Sequence, residues 1–333
     1  MGSKMKHNNM NILILSCGTR NKIVQYFRRE LAGQGLLVAT DCSELAPALY
    51  EADHYYVVPP IDADNYLEVI LEICQANEIK GVLSLIDPEL SLLAKHKDDF
   101  IQMGVLPIVS HYDVVEMCFN KYHMAEFLST NGFLTPKSYI CKQAFLSDLS
   151  MGKISYPVFV KPVKGSASLN VNRVDSTAEL EYLFNRFDGL MIQEFMAGKE
   201  LGADVYIDLI SGAPVSVFTK EKIKMRAGET DKSVSVKDEE LFGLIVDFVR
   251  KARLMGIVDI DVFFKNGEYY ISEVNPRFGG GYPHAHECGV NMVQMLLRNI
   301  AGIENEPCIG KYDRDVCMMK YSDILIRRLH DST

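Results

Sequence analysis

The sequence predicts an α/β domain followed by an α+β region, and three observations carry that expectation. Through the first third, continuous apolar runs of strand length alternate with amphipathic helical segments, the texture of a small doubly wound parallel sheet. After Thr135-Pro136 the alternation gives way to strands in succession, and Asn266-Gly267 between two of them is a hairpin signal. A length of 333 residues leaves room for two domains or three.

Taken in order, Asn11–Ser16 is apolar throughout, as a strand buried on both faces must be. Asn21–Leu31 is an amphipathic helix ended by Gly33 and Gly35, and Leu36–Thr40 is the next strand. Val57-Val58 is a short strand. In Tyr66–Ala76, residues Leu67, Ile70, Leu71 and Cys74 recur at helical spacing. Gly81–Ile86, Glu89–His96 and Val105–Val109 continue as strand, helix, strand. Asp113–Gly132 reads as one helix closed by Asn131-Gly132. Beyond it, Lys137–Ile140, Tyr156–Lys161, Val171–Val174, Leu190–Phe195, Leu201–Ile210 and Pro214–Thr219 are strands. Thr177–Phe187, capped by Ser176, and Glu239–Met255 are helices; Val258–Phe264 and Glu268–Val274 flank the hairpin signal. The residues from about Asp313 onward offer no reading.

Composition excludes several classes. Asp and Glu number 44 against 35 Lys and Arg, a net charge of −9, which argues against nucleic acid and against an anionic membrane surface. No apolar run approaches the length of a membrane span or a signal h-region. The eight cysteines are scattered with no C-x-x-C pair, as expected of reduced thiols in a cytoplasmic protein, and they argue against a zinc site. Gly18 stands alone after the first strand, where a dinucleotide fold needs G-x-G-x-x-G, so that domain reads as a scaffold rather than an NAD site.

The chemistry concentrates in Asp259-Ile-Asp261, Glu273-Val-Asn275-Pro-Arg277 and the Gly279-Gly280-Gly281 that follows. Strand alternation gathers the odd-numbered members of each strand on one face. A two-residue turn would set Asp261 and Glu273 on opposite faces, so the expectation is a three-residue loop, Asn266-Gly267-Glu268, pairing them directly. Asp261, Glu273 and Asn275 would then offer three hard oxygen ligands, suited to Mg²⁺ shared with substrate phosphates. Asp259 competes with Asp261 for the first position. Two lysines stand out as well: Lys121 opens a helix, and Lys161 ends a strand just before the small-residue stretch Lys164-Gly165-Ser166-Ala167-Ser168. Such a loop can wrap phosphate oxygens while a lysine supplies charge, although it is no Walker A motif. Finally, Gln193-Glu194-Phe195-Met196, with Glu200 beyond a glycine turn, could sandwich a flat base and bond a ribose.

Together these features resemble the ATP-grasp superfamily over roughly residues 120–302, closest to carboxylate–amine ligases of the carbamoyl phosphate synthase and biotin carboxylase type. The string Glu273-Val-Asn-Pro-Arg-Phe-Gly-Gly-Gly281 is its most specific part. The resemblance implies a Rossmann-like pre-ATP-grasp domain (1–117), two α+β subdomains enclosing ATP (118–190 and 191–310), and a C-terminal tail (311–333). It implies ATP and Mg²⁺, with Mn²⁺ able to substitute. Lys121, Lys161, Lys164, Gly165, Ser166 and Ser168 would meet the phosphates, Gln193–Met196 the adenine, Glu200 the ribose, and Asp261, Glu273 and Asn275 the metal. Arg277 and Lys161 would serve the reaction, Arg277 at the acyl phosphate. Arg226, Gly280, Gly281 and His284 would border the substrate.

The implied reaction joins a small-molecule carboxylate to an amine or ammonia through an acyl phosphate, and the expected assembly is a homodimer. Three other readings stand beside it. One is a carbamoyl phosphate synthase-like or carboxylase-like component using bicarbonate. Another is an ATP-binding regulatory protein without chemistry, and the last is a dehydrogenase, which the missing glycine fingerprint disfavours.

Overall fold

The structure is a computed structural model describing residues 10–165 and 171–328. Five strands, β1 (Asn11–Leu15), β2 (Leu37–Asp41), β3 (His54–Val57), β4 (Ile79–Ser84) and β5 (Leu106–Pro107), form a parallel sheet in the order β3-β2-β1-β4-β5. Every residue of β1 is buried, which accounts for its unbroken apolar run. The helix Asn21–Leu31 lays Ile23, Val24, Phe27 and Leu31 into the core at three- and four-residue spacing.

The single helix expected over Asp113–Gly132 is instead two, Tyr112–Phe119 and Lys121–Thr130. The break is Asn120, whose backbone is extended. Its side-chain oxygen accepts the amides of Tyr122 and His123 at 3.1 Å each, capping the second helix. Asn120 also bridges to Lys164, and the amide of Lys121 donates to the Val163 carbonyl at 3.0 Å. These bonds replace one helical turn without disturbing the apolar spacing on either side, so periodicity alone did not reveal the break.

Four more strands, β6 (Ser138–Tyr139), β7 (Val158–Pro162), β8 (Asn172–Val174) and β9 (Leu190–Glu194), make an antiparallel sheet in the order β6-β9-β7-β8. Helices Lys142–Ser150 and Thr177–Arg186 contribute Phe145 and Leu180 to its small core. Because β9 belongs here, the change of sheet falls after Glu194, later than the boundary expected at residue 190.

The third sheet comprises β10 (Lys199–Ile207), β11 (Pro214–Arg226), β12 (Glu229–Val236), β13 (Gly256–Lys265), β14 (Glu268–Asn275) and β15 (Cys317–Met319), antiparallel in the order β14-β13-β10-β11-β12-β15. Helix Glu239–Lys251 buries Leu241, Ile245, Phe248 and Val249 into the same large core that holds the strands' apolar residues. Two features were not legible beforehand. The strand expected to stop at Thr219 continues to Arg226, and β12 returns beside it through the left-handed pair Ala227-Gly228 (φ 51° and 76°). Lysines at 220 and 222 take inward positions there, so the apolar alternation that announces a strand is missing. Within the expected tail, Cys317–Met319 pairs with β12 as an edge strand. Among the described residues no helix is long and apolar enough to cross a membrane.

Candidate active site

The site is built on the β13–β14 hairpin. Its turn has two residues, not the expected three: Asn266 and Gly267 are both left-handed (φ 55° and 85°), and Lys265 pairs with Glu268. On that register Asp261 and Glu273 would lie on opposite faces. A β-bulge between Asp261 and Val262 corrects the register. Val262 pairs with Ile271 while Asp261 pairs with Glu273, leaving Ser272 as the extra residue. Asp259 faces Asn275 one step further. The hairpin thus brings Asp259, Asp261, Glu273 and Asn275 to one cleft of about 440 Å³.

The opposite wall comes from the four-stranded sheet. Lys161, at the end of β7, is buried and donates to the Gln193 side-chain oxygen at 2.8 Å; Gln193 in turn donates to the Ser138 hydroxyl at 3.1 Å. Burial lowers the Lys161 pKa, while the charges of Glu273 and Asp261 oppose that shift. Lys121 reaches in from its helix start and donates to the Gly165 carbonyl. Met196 and Glu200 line the same end. Phe195 does not: it packs on Phe159 with ring centroids 5.7 Å apart and under Arg173. Lys164 also turns away, pairing with Glu116 at 3.0 Å. Ser166 and Ser168 lie outside the described residues.

Lys222 of β11 was missed by sequence reasoning and sits at the centre. Its nearly buried ammonium lies 2.6 Å from Asp261 and 3.0 Å from Glu200. Burial alone would lower its pKa, but those two carboxylates outweigh it and hold the lysine charged. The signal that could have found it is a lysine at an inward strand position two residues from Lys220. Lys220 itself is fully buried and paired with Asp204 beneath the cleft. Burial, and then the charge of Asp261, push the Asp259 carboxyl up to about 6.

The three glycines after Arg277 have a packing reason. A Cβ at Gly279 would lie 2.3 Å from the Asp259 carboxyl carbon, and one at Gly281 would lie 2.7 Å from Lys220 Cε. At Gly280 it would lie 2.8 Å from the Glu229 carboxyl carbon and 2.9 Å from Arg20 Nη1. The backbone therefore rests directly on the charged side chains of the site. Gly280 and Gly281 also line the cleft.

Arg277 donates to Asp87 at 2.9 Å, to the Asn275 side-chain oxygen at 3.2 Å and to the Phe278 carbonyl at 3.1 Å. Asp87 belongs to the first domain, at the start of helix Asp87–Lys95. The buried Nε–H of Arg277 has no partner among the described residues. Two expected substrate contacts are placed away from the cleft. Arg226 is exposed and donates to the Ser322 hydroxyl at 3.0 Å. His284 is buried behind β12: its Nε2–H donates to the Val316 carbonyl at 3.1 Å, and its Nδ1 accepts from Ser233 at 2.8 Å.

The donor set fits a divalent cation completed by a substrate. Among the described residues no three Asp, Glu, His or Cys side chains close on one point. Asp261, Glu273 and Asn275 supply two carboxylates and an amide, and Glu273 has no hydrogen-bond partner among the described residues. A hard-oxygen set that leaves positions for phosphate oxygens is the mode Mg²⁺ favours.

Two antiparallel sheets lining one charged cleft, acids on a hairpin facing a lysine near the end of an opposing strand and another at a helix start, define an ATP-grasp fold. Comparison with family models agrees: residues 12–108 match "PylC-like, N-terminal domain" and residues 118–281 match "ATP-grasp domain". The chain belongs to the ATP-grasp superfamily of ligases and is an enzyme of that class. It is 24% identical over 294 residues to a carbamoyl-phosphate synthase of Methanobrevibacter smithii, covering 84% of this chain and 77% of that one. It is 24% identical over 215 residues to the carbamoyl phosphate synthase arginine-specific large chain of Bacillus subtilis, covering 60% of this chain; it spans only 20% of that relative's length. The crystal structure of an L-amino acid ligase from Bacillus licheniformis superposes with a TM-score of 0.67 at 24% identity, covering 88% of this chain and 74% of that one. That likeness shows the fold.

Proposed function

We propose that the chain is an ATP- and Mg²⁺-dependent ligase that joins a carboxylate to an amine through an acyl phosphate, releasing ADP and phosphate. The observation that carries this reading is the set Asp261, Glu273, Asn275 and Arg277 on one wall of the cleft, facing Lys161 and Lys121 on the other. A carboxylate attacking a γ-phosphate brings two anions together, so the site must cancel charge before it can orient them. Asp261, Glu273 and Asn275 would hold Mg²⁺, which would supply positive charge to offset part of that repulsion. Lys161 is fixed by Gln193 and contributes a positioned cation. Lys121, bonded to the Gly165 carbonyl, supplies a second, and Arg277, steadied by Asp87, would meet the charge that develops on the acyl phosphate. Glu200, Gln193, Glu194 and Met196 would form the nucleoside end. No protein nucleophile is required.

A second reading takes bicarbonate as the carboxylate, and the similarity to carbamoyl-phosphate synthase over most of the chain favours it. The test is phosphate release from Mg²⁺-ATP, screened over pairs of small carboxylates and amines, with bicarbonate and ammonia among them. Turnover that requires both an organic carboxylate and an amine supports the first reading. Turnover with bicarbonate alone selects the second, and tight ATP binding with no turnover for any pair overturns both.

A further inference from the structure

The far end of the cleft, away from the nucleoside wall, is formed by residues that none of the motifs contains. Arg20 enters from the turn after β1, and its Nη2 lies 3.2 Å from the Glu229 carboxylate at the start of β12. Their side chains are 22% and 33% exposed, so both are partly desolvated yet reachable from the cleft. Lys320, beyond β15, holds the other oxygen of Glu229 at 2.8 Å. Glu229 is the only ion-pair partner of Arg20 among the described residues, and most of its five N–H donors are unused there. Gly280 runs directly against the pair, where a Cβ would collide with both side chains.

We propose that Arg20 and Glu229 form a zwitterion subsite, and that the amine substrate is an amino acid with a free carboxylate. The proposal rests on the ligase reading and deepens it. A guanidinium with spare coplanar donors matches a carboxylate in a two-point contact. A carboxylate beside it, fixed by Lys320, matches the ammonium. An incoming amino acid exchanges one ion pair for two, whereas ammonia or bicarbonate would leave both side chains facing each other unchanged. Arg277 lines the same cleft within electrostatic reach of both side chains, so an amino acid held there would lie towards the reacting end.

The test uses the full chain with Mg²⁺-ADP and calorimetric binding of a panel of L-amino acids, each matched with its decarboxylated amine and its N-acetyl derivative. At least one amino acid should bind, and both of its matched derivatives should bind at least thirtyfold more weakly. Arg20→Ala should abolish that preference for the amino acid over its decarboxylated amine. Arg20→Lys should restore part of it, and Glu229→Gln should weaken the amino acid while leaving ADP affinity within twofold. The same panel is then run for phosphate release. Equal binding of amino acid and decarboxylated amine, indifference to Arg20→Ala, or no amino acid bound at all overturns the subsite. Amino-acid binding that needs Arg20, without phosphate release for any carboxylate, overturns the ligase reading and leaves the subsite standing.

Discussion

The two ends of the cleft are built differently. At the nucleoside and metal end, almost every charged side chain comes from a strand of one sheet or a neighbouring strand: Asp261 and Glu273 face each other across a hairpin, Lys222 is on β11 and Glu200 on β10. At the far end the contacts cross long stretches of chain. Arg20 meets Glu229, Asp87 meets Arg277, and Lys320 closes on Glu229. The first end is a property of local sheet geometry. The second exists only when the N-terminal domain is docked on the third sheet. Substitutions at the two ends should therefore act on different substrates, and the seam should be sensitive to conditions that leave the sheet intact.

The largest effect belongs to the metal wall. Glu273→Gln keeps the shape and removes the charge of an acid that has no hydrogen-bond partner among the described residues. Turnover of ATP should fall by about a thousandfold or more, the scale of losing a centred electrostatic contribution. The thermal midpoint should not drop, because no partner is left unpaired. Steady-state phosphate release and a melting curve on the same sample check it; full activity would remove Glu273 from the metal wall.

That contrast also explains what the sequence disclosed. The fold class was readable because buried parallel strands write continuous apolar runs, as in β1, and because Asn266-Gly267 announces a hairpin. The acidic pairing was reasoned through the wrong turn: a bulge at Ser272 supplies the register shift that a three-residue loop was expected to supply. Bulges leave no compositional trace. Lys222 was hidden because a lysine inside a strand cancels the pattern that would have revealed the strand. Arg20 with Glu229, and Asp87 with Arg277, were illegible for a simpler reason: their proximity depends on domain docking, which no window of sequence contains; Lys320 reaches Glu229 through the edge strand β15. His284 was singled out by nearness in sequence to the glycine run and Arg226 as part of an expected connecting segment, but backbone direction carries their side chains elsewhere.

The seam and the third sheet behind it should be the acid-sensitive parts of the molecule, the seam through His286 and the sheet through His284. His286 stacks on Tyr26 at 3.7 Å, hydrogen-bonds Tyr282 at 3.1 Å and contacts Arg29; His284 is buried against Ser233. Burial, and then a nearby cation, Lys220 for His284 and Arg29 for His286, depress both pKa values to about 4. The unfolded chain binds those protons near pH 6.5 and the folded chain does not. Their stabilisation is thus complete above pH 6.5 and is lost as pH falls from there towards 4, by roughly 2 to 3 kcal/mol for each ring. Denaturant titrations at pH 7.5 and 5 should show the loss, and His286→Gln should flatten the slope. An unchanged slope in that variant would uncouple the seam from acid lability.

A sharper division of the two ends comes from Asp87→Asn. The substitution removes the charge opposite Arg277 but keeps an acceptor, so the guanidinium should stay near its place with less restraint. Turnover should fall by about ten- to a hundredfold with little change in KM for ATP, since a charged hydrogen bond between nearly buried partners contributes on the order of 1.5–3 kcal/mol. A matching rise in KM for ATP would mean that the seam and the nucleoside end are not separable.

The smallest effect tests the same division from the nucleoside side. Ser138 does not itself line the cleft; its hydroxyl accepts from Gln193, whose side-chain oxygen accepts from Lys161. Ser138→Ala removes the neutral hydrogen bond from Gln193, together with a local one to the Pro136 carbonyl, two contacts away from any phosphate. Its cost should be about 0.5–1 kcal/mol, appearing as a two- to fivefold higher KM for ATP with the turnover number nearly unchanged. Gln193→Leu, which strips the buried Lys161 of its only side-chain acceptor among the described residues, should give the same signature with a larger rise. If either variant instead raised the KM of the amine substrate while sparing that of ATP, Lys161 would belong to the far end of the cleft, and the assignment of the two walls would have to be exchanged.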